Sequence, residues 1–135
     1  LTPLPIRFQG RDFIGFNGTI PLPFLSKICL AEKQRLASAL VDNAANTIVV
    51  AHPPPRGLCD RVGQTFSAGS IQLKRWVDEI QPALVICGHI HEQAGLMHHR
   101  NTLVVNCAMS QTSDGAIIEW DRSGQIHVKM IPTHH

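Results

Sequence analysis

No stretch of this 135-residue chain reaches the ~18 consecutive apolar residues of a membrane span, and no charged leader followed by an apolar segment and a cleavage site opens it. A cytoplasmic location with no membrane partner is therefore expected. An excess of one charge is also lacking. Twelve Lys and Arg stand against ten Asp and Glu, a formal net charge of +2, and the basic residues are scattered. Neither a nucleic-acid groove nor an attraction to acidic membranes is indicated. Aromatics are sparse at 5%, with no Tyr, but a hydrophobic fraction of 44% suffices for the core of one domain over residues 1–135.

Closely spaced cysteine pairs are missing too. Cys29, Cys59, Cys87 and Cys107 lie far apart with no C-x-x-C, which excludes a zinc knuckle or a thioredoxin-like redox pair. Cys29, Cys87 and Cys107 lie in or beside apolar runs and read as buried free thiols of a reducing compartment. The chain starts at Leu1 rather than Met, as a processed or excerpted chain would, and ends in His134-His135, which read as either native sequence or a tag stub. Neither of those two histidines is a site candidate.

What is present is a succession of short β-like runs and two helical patterns. Residues 6–8 and 12–16 flank Gln9-Gly10-Arg11 as a hairpin, and Pro21 and Pro23 enforce a loop. Leu36, Ala37, Leu40, Val41 and Ala44 recur at helical spacing, predicting a first helix over 31–44 that stops at 43–46. The β-branched run 47–51 reads as a strand buried on both faces and ends at His52. Residues 53–69 read as a long loop whose Arg56, Asp60 and Arg61 are solvated charges. Ser70 is positioned to cap a second helix with the stripe Leu73, Trp76, Val77 and Ile80, ending before Pro82. Strands follow at 84–87, 102–106, 116–120 and 126–130, with Asp121-Arg122-Ser123-Gly124 as a hairpin turn.

Three strand ends thus carry His52, the pair His89 and His91, and Asn106. Open sheets flanked by helices place their sites at such ends. His89 and His91 sit in Gly88-His89-Ile90-His91-Glu92, directly after the apolar run Leu84-Val85-Ile86-Cys87. Gly88 is expected to let the backbone turn sharply. His-x-His alone is a weak motif, and what singles it out is its place behind a strand. His98, His99 and His127 have no such setting and read as surface or structural residues.

At these residues the chain resembles the calcineurin-like metallophosphoesterases, closest to their small bacterial and archaeal members. The matching pattern is Val49-Val50-Ala51-His52-Pro53-Pro54, Gly69-Ser70 opening a helix, Pro82 before a strand, Gly88-His89-Ile90-His91-Glu92, Gly95, and Thr102-Leu103-Val104-Val105-Asn106. Cys107-Ala108 stands where that family usually has Pro-Gly. The resemblance implies an α+β fold, part of a β-sandwich flanked by helices in α/β/β/α layers. It also implies hydrolysis of phosphomonoesters or phosphodiesters by a centre of two divalent ions, Mn, Fe or Zn. His52 and His89 would bind one ion and His91 the other.

The family's Asp-x-His, Gly-Asp and Gly-Asn-His motifs are absent: no Asp here is followed two places later by His, and no Gly precedes Asp or Asn. The chain then corresponds to the C-terminal portion of a phosphoesterase domain, with no catalytic acid of its own. Its expected partners are a phosphoester substrate and a missing N-terminal half, or a second chain, that completes the site. Two alternatives stand beside this reading. One is a catalytically inactive scaffold that binds a protein partner. The other is a mononuclear zinc hydrolase in which His52, His89 and His91 converge on one ion.

Overall fold

The computed structural model describes residues 5–16 and 41–133. Strands β1 (Ile6–Phe8) and β2 (Arg11–Phe16) form the expected antiparallel hairpin, with Arg11 inside β2 rather than in the turn. The first predicted helix falls mainly outside the described residues. At its expected end, Asn43 caps a 3-10 turn, Ala44–Asn46, by accepting from the Ala45 N–H. That turn leads into β3 (Thr47–Ala51).

Residues 53–69 are more ordered than their composition suggests. They carry a small hairpin of β4 (Arg61–Val62) and β5 (Phe66–Ser67). Helix α1 (Ile71–Ile80) begins at Ser70, whose hydroxyl accepts from the Leu73 N–H, and ends in left-handed Gln81 just before Pro82. Strands β6 (Leu84–Cys87) and β8 (Thr102–Asn106) follow the reading of their apolar runs. Between them β7 (Gly95–His99), which the alternation of residue types does not announce, returns antiparallel to β8. Strands β9 (Gly115–Trp120) and β10 (Ile126–Ile131) close the described chain as a hairpin.

The main sheet has the order β1-β2-β3-β6-β8-β7, with β2, β3, β6 and β8 mutually parallel and an antiparallel strand at each edge. This is an α+β arrangement built on a mixed sheet, consistent with a sandwich. One face carries α1, whose Leu73, Trp76 and Val77 pack with Ile14, Val49, Val85 and Val104. The β9–β10 hairpin packs on the other face through Ile118, Trp120, Val128 and Met130 against Ile48, Leu84 and Val105. Burial of such branched side chains stabilises by about 1.5–3 kcal/mol each.

Arg11 pins the hairpin layer to the sheet. Its guanidinium is buried and donates to the carbonyls of Ala45 and Gly124, the latter in the β9–β10 turn. The hairpin is only two strands wide, so it leaves part of the face open. Val50 is 42% exposed for that reason, and the expectation that the 47–51 strand is buried on both faces holds at Ile48 and Val49 but not there.

Candidate functional site

The parallel pairing of β3, β6 and β8 brings their C-terminal ends side by side, as the sequence predicts. One more hydrogen bond extends the first pair beyond the strands: the Gly88 N–H donates to the His52 carbonyl at 3.1 Å. This sets the residues after β3 and β6 in register. His52 Nε2 lies 2.9 Å from His89 Nδ1, with the rings edge to face.

The sharp turn expected of Gly88 falls one residue later. His89 itself takes the left-handed conformation, at φ 71°, while a methyl group built on Gly88 would meet nothing within 4 Å. A left-handed conformation costs an L-residue roughly 1–2 kcal/mol, so the surrounding bonds must hold it. Asn106 supplies two of them. Fully buried at the end of β8, its side-chain amide donates to the Ile90 carbonyl at 2.8 Å and to the Cys59 carbonyl at 3.2 Å, while its oxygen accepts from the Ala108 N–H. One side chain thereby joins three segments.

The 53–70 segment is fastened independently. Pro55 and Ser70 form a parallel bridge, and the Ser70 N–H donates to the Pro54 carbonyl. A Cβ at Gly69 would come within 2.7 Å of the Pro54 oxygen and 2.8 Å of the Arg56 nitrogen, so only glycine fits this approach. Asp60, expected as a solvated loop charge, is instead 1% exposed. Its Oδ2 accepts from the Gly69 N–H at 2.9 Å, and its Oδ1 has no partner among the described residues. Arg56 and Arg61 are exposed as expected. At the tip, the Gly63 N–H donates to Glu92 Oε2 at 2.6 Å, tying the loop to the turn that bears the histidines.

Electrostatics favour neutral imidazole at His89. Partial burial pushes the His89 pKa below the ordinary histidine value, and the positive charges available to His52 and His91 push it the same way. Neutral imidazole is the ligating form. Two nitrogens bound to one tetrahedral zinc at ~2.0–2.1 Å would stand about 3.3 Å apart, so His52 and His89 need to part by only a few tenths of an ångström to share an ion. The pair fits a metal in donor chemistry and spacing.

His91 is exposed in the 3-10 turn His91–Gln93 and does not join that pair in a three-ligand group. Among the described residues no three His, Cys, Asp or Glu side chains gather at metal-holding spacing. The convergence that a three-histidine zinc site requires is thus not formed by His52, His89 and His91. The remaining histidines match their bland reading where they have partners. His99 Nε2 pairs with Asp78 at 2.6 Å, and His127 lies 3.9 Å from Asp121 on the surface.

Cys59 and Cys87 are buried free thiols and Cys107 is half-buried; Cys29 lies outside the described residues. Burial holds the Cys87 thiol far above its usual pKa, so it is inert at neutral pH. A cleft of about 610 Å³ lies at the other end of the sheet, beside Ala83 and Leu103, and touches none of the three site histidines.

The comparisons with known proteins add a fold and a partial sequence likeness. No family model matches the chain. UPF0046 protein K07C11.7 of Caenorhabditis elegans is 40% identical over 68 residues, 50% of this chain and 23% of the worm protein. One solved crystal structure superposes with a TM-score of 0.58 at 19% identity, over 94% of this chain and 52% of its own, and has the same fold. Another, TT1561 of Thermus thermophilus, aligns with a TM-score of 0.41 at 13% identity, over 91% of this chain and 55% of its own. The chain spans about half the length of these solved proteins, and its match covers less than a quarter of the worm protein. Within the described residues no helix is long and apolar enough to cross a membrane.

Proposed function

We propose that this chain supplies one side of a two-metal centre that hydrolyses phosphoesters, within a calcineurin-like sandwich of α/β/β/α layers. The observation that carries the reading is the 2.9 Å approach of His52 and His89 at the ends of adjacent parallel strands. His52 and His89 hold one divalent ion, of Mn, Fe or Zn, and His91 contributes to the other. Held there, such ions would supply neutralisation of charge on the phosphoryl oxygens. The protein's own part is positional. His89 is kept neutral by its surroundings, Asn106 holds Ile90 between the two turn histidines, and Glu92 fastens the turn to the Gly63 loop.

The carboxylate ligands and the leaving-group acid belong, in this reading, to a second half of the fold or to another chain. Uncovered apolar surface supports such a partner. Ile6 and Phe8 on the edge strand β1 and Val50 on the open sheet face are exposed, an arrangement that invites a covering segment.

A hydrolysis assay with bis(p-nitrophenyl) phosphate and manganese tests this. The 135-residue chain should be inactive, whereas a polypeptide that also carries the additional length of its structural relatives should turn over. In that longer protein, His52→Ala and His89→Ala should each lose at least about 100-fold, about 2.7 kcal/mol of transition-state stabilisation. Turnover by the 135-residue chain alone would contradict the divided site. A longer protein that binds metal yet hydrolyses nothing would favour the inactive scaffold.

A further inference from the structure

A cleft of about 410 Å³ opens beside the histidine turn, between His91 and Glu92 on one wall and Ser110, Gln111 and Thr112 on the other. We infer that this cleft receives the leaving group, and that the leaving group is a neutral polyhydroxylated alcohol such as a sugar or glycerol. The inference rests on the phosphoesterase reading above. In that reaction the oxygen of water bonds to phosphorus, the ester P–O bond breaks, and the departing alkoxide takes up a proton to leave as the alcohol. A phosphoryl group held at the histidines places its alcohol portion in the adjoining cleft.

The wall chemistry selects among alcohols. Among the described residues no aliphatic side chain lines the cleft, so an acyl or alkyl tail would gain little from entering it. Among the described lining residues His91 is the one aromatic ring, and in the reading above its imidazole is engaged at the metal, which leaves no ring and no arginine to stack on a nucleobase. The described lining residues include Glu92 and no Lys or Arg, so a second phosphate would meet a carboxylate and no cation among them. Beside the carbon of these side chains, what the described walls offer is hydrogen bonding.

Ser110 Oγ and Thr112 Oγ1 lie 3.2 Å apart and share one proton between them, which leaves one O–H free to donate outward. The Gln111 amide has no side-chain partner among the described residues. Glu92 uses Oε2 for the Gly63 N–H, leaving Oε1 open as an acceptor. A vicinal diol satisfies this set, with one hydroxyl donating to Glu92 and the next accepting from the hydroxyl pair.

The loop is also held in place before any ligand arrives. The Ser110 N–H donates to the Ser113 carbonyl, the Thr112 N–H to Ser110 Oγ, and Thr133 Oγ1 to the Gln111 carbonyl at 2.6 Å. A pre-ordered polar wall loses little entropy on binding.

The test is an NMR titration of the zinc-loaded, 15N-labelled chain with inorganic phosphate, glycerol 3-phosphate, ribose 5-phosphate and phenyl phosphate. The two polyol phosphates should bind about tenfold tighter than phenyl phosphate, the worth of one or two net hydrogen bonds, and should shift the amides of Glu92 and residues 110–112. In the Ser110→Ala, Thr112→Val double variant, and separately in Glu92→Gln, that preference should fall to about twofold or less. Equal affinity for all three esters, or polyol shifts confined to other parts of the chain, would overturn the inference while leaving the phosphoesterase reading standing. Absence of binding by inorganic phosphate both to the zinc-loaded chain and to the longer protein that completes the site would overturn both.

Discussion

The side-chain amide of Asn106 donates to the carbonyl of Ile90 across 2.8 Å, and Ile90 is the residue between His89 and His91. The same amide holds the Cys59 carbonyl, so the end of β8 governs both the histidine turn and the loop that packs on it. Replacing Asn106 by Ala or Asp removes both donors and leaves two carbonyls without partners. The expected loss is about 2–4 kcal/mol in urea denaturation, since each unsatisfied buried group costs ~1–3 kcal/mol. A loss below about 1 kcal/mol would mean that the clamp does not hold the site.

Glycines 69 and 88 should behave in opposite ways. Gly69→Ala drives a methyl group into the backbone of residues 54–56 and should destabilise by about 2 kcal/mol or more. Gly88→Ala, which meets open space, should stay within about 0.5 kcal/mol of the parent. Thermal or urea unfolding of the two variants side by side checks this, and equal effects would contradict the described packing.

Backbone strain at the site rests on His89. Because its φ of 71° suits glycine, His89→Gly should be more stable than His89→Ala by about 1 kcal/mol, although both remove the imidazole. The reverse order in urea unfolding would place the turn elsewhere.

A pH dependence follows from His89. Its pKa is depressed in the folded protein, chiefly by burial and then by His52 and His91, so between the folded value and the unfolded value of ~6.5 the unfolded chain binds more protons. This contribution therefore leaves stability undiminished above pH ~6.5 and erodes it as the pH falls through that value toward the folded pKa. Removing the imidazole in His89→Ala should flatten this part of the stability–pH curve. Metal affinity should fall over the same range as the imidazoles protonate. Affinity constant between pH 5 and 8 would contradict histidine ligation.

Much of the architecture was legible because period and punctuation agree with it. The stripe from Leu73 to Ile80, bounded by Ser70 and Pro82, gives α1, and the apolar runs at 47–51, 84–87 and 102–106 give adjacent parallel strands. The gathering of His52 and His89 followed from placing both at strand ends. Strand β7 escaped because Leu96, Met97 and His98 on this edge strand are exposed, so burial imposes no alternation on its residues. Asp60 escaped for another reason. An Asp in a loop rich in Gly and Arg reads as solvated, and its burial depends on the Gly69 N–H, a partner nine residues away that no local pattern announces. The turn conformation passed from Gly88 to His89 because the Gly88 N–H is engaged by His52 as a continuation of the β3–β6 ladder, so the chain bends after it.

The most direct test of the account is a calorimetric titration of zinc and manganese into the parent chain and its His52→Ala, His89→Ala and His91→Ala variants. His52→Ala and His89→Ala should each weaken the same ion by at least about 100-fold, more than the loss of an outer-shell contact, while His91→Ala leaves that ion in place. Loss of one common ion in all three variants would instead identify a single three-histidine site. An unchanged titration in every variant would contradict a metal centre at these residues.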